Sequence, residues 1–253
     1  MQRSVSRRLL LQQATGLGLA ALGLVGRSRP ARADGTPPAN DDQLIQRLSA
    51  CHPDGDPLQA LLAGNARFSK VWQSTSGNLD PRARMGRFAG LWRHNCQSDP
   101  AALALAQRPW AAVLTCADSR VSPEWLFDVG PGALFEVRSA GNTAFDAGIA
   151  SLEYAVAELA VPLILVLGHS GCGAVKAAMG NAQLTPRLQE LVDPIRACLE
   201  PGMDLAAAVE ANARASAAAL SRGSALLSTA VAAGQLRITA ASLDLATGRV
   251  RIL

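Results

Sequence analysis

Charge and aromatic rings are both scarce in this chain of 253 residues: 17% of its residues are charged and 4% are aromatic, with a single tyrosine. Hydrophobic residues make up 49%. So apolar a composition excludes a disordered chain, and with it a coiled coil or a collagen-like repeat. The length suits one globular domain of ordinary size, or at most two small ones. No internal repeat occurs. A true surplus of positive charge is also missing. The formal net charge is +4, but Arg3, Arg7, Arg8, Arg27, Arg29 and Arg32 all stand in the first 33 residues, which hold no acid. Without those six, 18 basic groups face 20 acidic ones, a balance of about −2. Nothing in that balance calls for nucleic acid or acidic lipid as a partner. The charge-free run from Ala14 to Gly26 is too short to span a bilayer, which takes ~20 apolar residues.

That short run has the form of a signal-peptide core. Ser6-Arg7-Arg8-Leu9-Leu10-Leu11 before it looks like a twin-arginine export signal, and Ala31-Arg32-Ala33 after it reads as a small-x-small cleavage site. The expectation is a cleaved segment 1–33, a linker 34–40 rich in glycine and proline, and a domain 41–253. The mature protein is expected in the periplasm or outside the cell, with no stable membrane anchor. Signals of this type resemble those of proteins exported already folded, often with a cofactor in place.

Two helical stretches follow the linker, the second with Leu58, Leu61, Leu62 and Phe68 at helical spacing. Gly77 to Asp80 and Pro81 mark a break. Three short apolar runs, 110–115, 134–137 and 163–167, are continuous rather than alternating, as expected of strands buried on both faces. Between the second and third, Ile149, Leu152, Val156 and Leu159 repeat as in a helix. Strand, helix, strand predicts an α/β fold, a central and mainly parallel sheet flanked by helices. Alanine-rich helices with Leu205, Val209, Leu220 and Leu227 on one face fill the stretch to Gly234. Two last strands, 236–243 and 249–253, join through Thr247-Gly248.

Two clusters end strands of that sheet. Cys116-Ala117-Asp118-Ser119-Arg120 follows the first, and His169-Ser170-Gly171-Cys172 follows the third. Ligands in open α/β sheets sit beyond the carboxyl ends of strands. His169 and Cys172, three apart where a strand turns into a helix, can face one point that Cys116 reaches from a neighbouring strand. Two thiolates and an imidazole suit zinc, and three protein ligands leave a fourth position open, as in catalytic sites. By spacing alone, the two cysteines fit a metal site or an ordinary buried core equally well.

The order of motifs is more specific. Leu-Leu-Ala-Gly-Asn-Ala-Arg-Phe at 61–68, Gln107-Arg108-Pro109, Cys-Ala-Asp-Ser-Arg at 116–120, Phe-Glu-Val-Arg-Ser-Ala-Gly-Asn at 135–142, Ser-Leu-Glu-Tyr-Ala at 151–155 and Gly-His-Ser-Gly-Cys-Gly-Ala-Val-Lys at 168–176 resemble, together and in this order, a β-class carbonic anhydrase. The likeness runs from about Leu61 to the C-terminus. It implies one Zn2+ per chain on Cys116, His169 and Cys172, and a zinc-bound hydroxide that converts CO2 to bicarbonate. With two thiolates cancelling the metal's charge, the bound water should titrate higher than on three imidazoles, so activity should climb into alkaline pH. The resemblance implies that Asp118 and Arg120 form a dyad: Arg120 clamps a carboxylate that otherwise takes the fourth position, and Asp118 orients the hydroxide. It implies Gln107 as a hydrogen-bond donor to substrate, and Phe135 and Tyr154 as walls of an apolar CO2 pocket, partly from a partner subunit. It also implies a homodimer or a multiple of one, with N-terminal helices packing on the partner. Family members that a second bicarbonate switches off carry a Trp three residues before the first Cys and a Tyr in later helices. Here Val113 takes the first position and no Tyr follows Tyr154, so an open site without that switch is expected.

Two other readings keep parts of this one. The same scaffold can hydrolyse COS or CS2, which are also linear and apolar, or the chain can be a zinc-holding module without catalysis. A complete Asp118–Arg120 dyad argues against the module. Two of the five cysteines being metal ligands leaves Cys51, Cys96 and Cys198, of which an oxidising compartment can pair two. Cys51-His52 and His94-Asn95-Cys96 stand at no strand end and are not read as a second metal site. Gly130-Pro131-Gly132 is a turn rather than a phosphate loop, and Lys176 is read as solvated.

Overall fold

The computed structural model describes residues 40–77, 79–91 and 99–253. The expected signal 1–33, almost all of the linker, and His94 and Cys96 lie outside the described residues. Helix starts follow from their caps. Asn40 accepts from the Gln43 N–H while the Gln43 side chain accepts from the Asn40 N–H, and this reciprocal pair opens α1 (Asp41–Ser49). Three further helices use one device, an aspartate followed by proline: Asp56 before α2 (Pro57–Ser74), Asp80 before α3 (Pro81–Phe88) and Asp99 before α4 (Pro100–Leu105). Each carboxylate satisfies an orphan N–H of the first turn, and each proline sets the helical φ where it has no bond to lose.

Five strands form one sheet: β1 (Ala111–Cys116), β2 (Leu134–Ser139), β3 (Leu163–His169), β4 (Arg237–Asp244) and β5 (Arg249–Ile252), in the spatial order β2-β1-β3-β4-β5. The first four run parallel, and β5 returns antiparallel to β4. The mainly parallel α/β class expected from the sequence is the one observed. Every residue of β1 and β3 is buried, as their unbroken apolar runs require. β2 corrects the expectation of burial on both faces. It is the edge strand, and of its six residues Val137 alone is buried. The run 134–137 also includes a carboxyl, Glu136, placed at the sheet edge.

The chain leaves β1 through α5 (Pro123–Leu126) on one face, and leaves β2 through α6 (Asp146–Ala157) on the other. Beside α5, Leu126 and Phe127 pack with Leu58, Leu61 and Phe68 of α2. Beside α6, Leu152 and Ala155 meet Leu220 of α9 (Leu205–Gly223) and Leu227 of α10 (Ala225–Ala232). Because β2 and β3 flank β1 on opposite sides, the sheet has its topological switch point between the carboxyl ends of β1 and β3. A third cluster caps that end: Cys116, Cys172, Val175 of α7 (Gly173–Met179), Val192 and Ile195 of α8 (Pro186–Arg196), and Val209 of α9.

The Gly-Asn-Ala-Arg-Phe motif of α2 is the seam of the first face. A Cβ on Gly64 would stand 1.8 Å from the Phe127 carbonyl oxygen, so only glycine permits this approach. Asn65 is buried and fully used: it donates to Leu126 O and Gly248 O and accepts from Val250 N. Arg67 Nε donates to Oδ2 of the buried Asp128 at 2.5 Å.

Glu136 has a buried Oε1 without a hydrogen-bond partner among the described residues. Burial, and then the carboxyl of Glu124 beside it, push its pKa up to about 8, against the pull of Arg138. A carboxyl whose folded pKa is raised adds stability below its unfolded value and loses that contribution as pH rises through the folded one. Thermal unfolding measured from pH ~4 to ~9 should therefore show Glu136→Gln gaining stability over wild type as the pH rises through about 8. Curves that stay parallel across that range would contradict it.

Candidate metal centre

Strand β1 ends on Cys116 and strand β3 on His169, in neighbouring parallel strands whose register pairs Thr115 with Leu167. After His169 the chain must reverse within two residues. Gly171 does this at φ 67°, a left-handed conformation that glycine adopts freely. Cys172 then becomes the N-cap of α7. The loop is tied down at Ser170, whose N–H donates to Leu243 O and whose Oγ accepts from Leu245 N.

These constraints bring the Cys116 sulfur, a His169 nitrogen and the Cys172 sulfur within 4.8 Å of one another. Among the described residues no other such group of three occurs. The two sulfurs are 4.0 Å apart. Two sulfurs bound ~2.3 Å from one tetrahedral zinc lie roughly 3.8 Å apart, so the donor set fits that ion without rearrangement. His169 is fully buried, and its Nδ1 lies 3.1 Å from Ser170 O. With Nδ1–H donating there, Nε2 keeps its lone pair, and among the described residues Nε2 is buried without a hydrogen-bond partner. A buried nitrogen left without a partner is costly unless something binds it. The thiols are drawn apart in acidity. Cys116 is lowered, first by the hydrogen bond from Cys172 and then by His169 and the Gly141 N–H. That same bond, with burial, raises Cys172.

Asp118 stands at the rim. Arg120 grips it with two side-chain bonds, Nε to Oδ1 at 2.8 Å and Nη2 to Oδ2 at 2.6 Å, and a backbone bond, N to Oδ1 at 2.9 Å. The guanidinium holds the Asp118 carboxyl well below the usual carboxylate range, and the carboxylate raises Arg120 in turn. Oδ2 is 3.7 Å from His169 Nε2. Asp118 thus lies beside the three donor atoms, restrained from joining them.

Arg138 is a positioning group that sequence reasoning passed over. Its Nη2 donates to three carbonyls of the loop after β1: Cys116, Asp118 and Val121 at 3.2, 3.0 and 2.6 Å. The motif at 135–142 contained it, but no spacing rule points from a strand to a neighbouring loop. A row of rings on the other side of Arg120, Phe68 to Trp72 to Phe88 to Trp125, was likewise invisible in the sequence. It borders a cavity of about 290 Å³ that Arg120 also lines.

The expected substrate residues are placed apart from the three donor residues. Phe135 on β2 and Tyr154 on α6 face each other with ring centroids 6.3 Å apart, and Tyr154 is 48% exposed. Gln107 is exposed in the segment leading to β1. Among the described residues, no hydrogen bond or ring contact joins these three to Cys116, His169 or Cys172. Of the other cysteines, Cys51 is disulfide-bonded and Cys198 is free. His52 Nε2 lies 3.0 Å from Arg108 O, a structural use of that ring. Lys176 is exposed, as expected.

A family model described as carbonic anhydrase matches residues 111–250, more than half of the chain. A carbonic anhydrase of Mycolicibacterium smegmatis is 44% identical over 131 residues, 50% of this chain and 55% of that protein. Carbonic anhydrase 2 of Mycobacterium tuberculosis is 52% identical over 93 residues, 36% of this chain and 45% of that protein. The chain thus spans about half the length of the curated relatives it matches. The crystal structure of a β-carbonic anhydrase from Aspergillus fumigatus superposes with a TM-score of 0.56 at 26% identity, over 60% of this chain and 79% of that one.

The restraint on Asp118 has a direct consequence. In a crystal structure of the zinc-loaded protein at neutral pH, Asp118 should remain paired with Arg120, and in Arg120→Ala it should be found on the metal. Wild-type Asp118 on the metal would contradict the account.

Proposed function

The chain belongs to the carbonic anhydrase family and has the fold of its β class, and on that premise we propose that it catalyses the reversible hydration of CO2 to bicarbonate and a proton. The observation that carries the reading is the buried Cys116–His169–Cys172 set with a restrained carboxylate, Asp118, at its rim. These three residues would hold one zinc ion per chain. When bound, zinc supplies a Lewis acid that acidifies a water molecule for attack on CO2.

The chain's own residues do the rest. Asp118 stays ionised because Arg120 lowers its pKa, so it acts as a fixed acceptor and not as the base. Its Oδ2, 3.7 Å from His169 Nε2, would serve as a hydrogen-bond acceptor beside the three residues that would hold the metal. Arg120, donating to Asp118 Oδ2, would keep that carboxylate from joining the ligands. Arg138 holds the loop that carries both Cys116 and Asp118. Simple retention of a metal needs no such dyad, which favours an enzyme over a zinc-holding module.

We read Gln107, Phe135 and Tyr154 as a substrate subsite shared across a homodimer or a higher multiple of one. The exposed aromatic pair, apart from its own chain's ligands, supports this. We read residues 1–33 as an export signal and the mature enzyme as periplasmic or secreted. The disulfide at Cys51 supports an oxidising compartment.

Stopped-flow hydration of CO2 by the purified mature protein tests the reading. The rate should rise into the alkaline range, and Cys172→Ala should abolish both the rate and the zinc content. Asp118→Ala should lower kcat/KM by about 10- to 100-fold, the usual cost of losing a residue just outside the ligand set. Release of sulfide from CS2 without CO2 hydration would move the substrate. Full activity in Asp118→Ala would overturn the role given to the dyad.

A further inference from the structure

Helix α9 contributes no ligand, yet it carries a buried amide in the wrong company. Its inner stripe is Ala208, Val209, Asn212, Ala213, Ser216 and Leu220. Asn212 is 1% exposed among these small and apolar side chains. A buried amide is costly unless its hydrogen bonds are made. Asn212 makes a short one: Nδ2 donates to Gly141 O at 2.7 Å.

Gly141 lies in the single turn Ala140–Asn142 that follows β2, and it is the residue whose N–H donates to Cys116 Sγ at 3.2 Å. Its φ of 79° aims that N–H, and Asn142 after it is also left-handed, at φ 49°. Two successive left-handed residues, the second not a glycine, form a strained arrangement that surrounding contacts must hold in place. The space permits nothing larger, since a Cβ on Gly141 would stand 2.7 Å from Ile195 Cδ1 and 3.0 Å from Ala174 Cβ. Packing therefore excludes a side chain at Gly141 but sets no direction for the two peptide groups that meet there. Asn212 supplies the directional bond, gripping the carbonyl of the residue whose N–H meets the sulfur.

Building on the metal reading above, we propose that Asn212 is a positioning residue of the metal centre: it holds the Gly141 turn so that its N–H stays on the Cys116 sulfur. The chemistry at stake is the charge on that sulfur. Two thiolates cancel a dication, and an N–H bonded to one of them draws electron density back from the metal. The same bond fixes the direction of the sulfur lone pair that the metal uses. Groups that orient ligands in this way typically change metal affinity by about 10- to 100-fold when lost.

The test compares wild type with Asn212→Ala, with Asn212→Leu, which removes the donor while keeping the volume, and with Leu220→Ala. Leu220 is buried further along the same helix, packed with Leu152 and Leu227 and not with the Gly141 turn, so it reports destabilisation alone. Two quantities are read on folded protein: the rate of zinc transfer to a chelator, and the near-ultraviolet thiolate-to-metal charge-transfer band after cobalt(II) substitution. Both Asn212 variants should lose zinc about 10- to 100-fold faster, and their cobalt band should move to longer wavelength as the sulfur loses its donor. Leu220→Ala should show wild-type values for both. Asn212 variants with wild-type release and band position would overturn the role of Asn212 and leave the metal site standing. Wild type that takes up neither ion would overturn the metal reading and this inference with it.

Discussion

Two buried sulfurs and one buried imidazole nitrogen, brought to a single point by the ends of adjacent parallel strands, are the constraint from which the rest of the site follows. Thiolates in an apolar interior are unfavourable without a cation, and among the described residues His169 Nε2 has no hydrogen-bond partner. The fold nonetheless invests heavily in this arrangement. Strands β1 and β3 are buried along their whole length, Gly171 reverses the chain, and Ser170 pins the loop from both sides. A metal ion bound there would turn the cluster from a liability into the stable centre of its cap.

Around that point the charges are arranged so that Asp118 stays off the three donor atoms. Asp118 is close enough to interfere and is held back by three hydrogen bonds from Arg120. Arg138 clamps three carbonyls of the same loop from the edge strand, and the Gly141 N–H addresses the Cys116 sulfur. Each restraint comes from a different element, so the geometry is fixed by the closing of the fold around the switch point and not by any one loop.

Much of this was legible in the residues themselves. Unbroken apolar runs located β1 and β3, glycine and proline breaks located the turns, and strand-ending Cys116 and His169 located the site. What escaped has identifiable causes. α3 and α4 are short, so helical periodicity had too few turns to register, although their Asp-Pro starts were readable signals. β2 passed for a central strand because strand order, which makes it an edge, is a property of pairing and not of local sequence. Arg138 and Asn212 act on residues 17 or more positions away, which no spacing rule connects. Gln107, Phe135 and Tyr154 were named only through the resemblance, and in the single chain they stand apart from the Cys116–His169–Cys172 group.

X-ray absorption at the zinc edge of the purified protein tests the central claim most directly. The account predicts a first shell of two sulfurs at ~2.3 Å and two lighter atoms, one of them an imidazole nitrogen at ~2.0–2.1 Å. A shell of four sulfurs, or one with no sulfur, would place the metal elsewhere and contradict it.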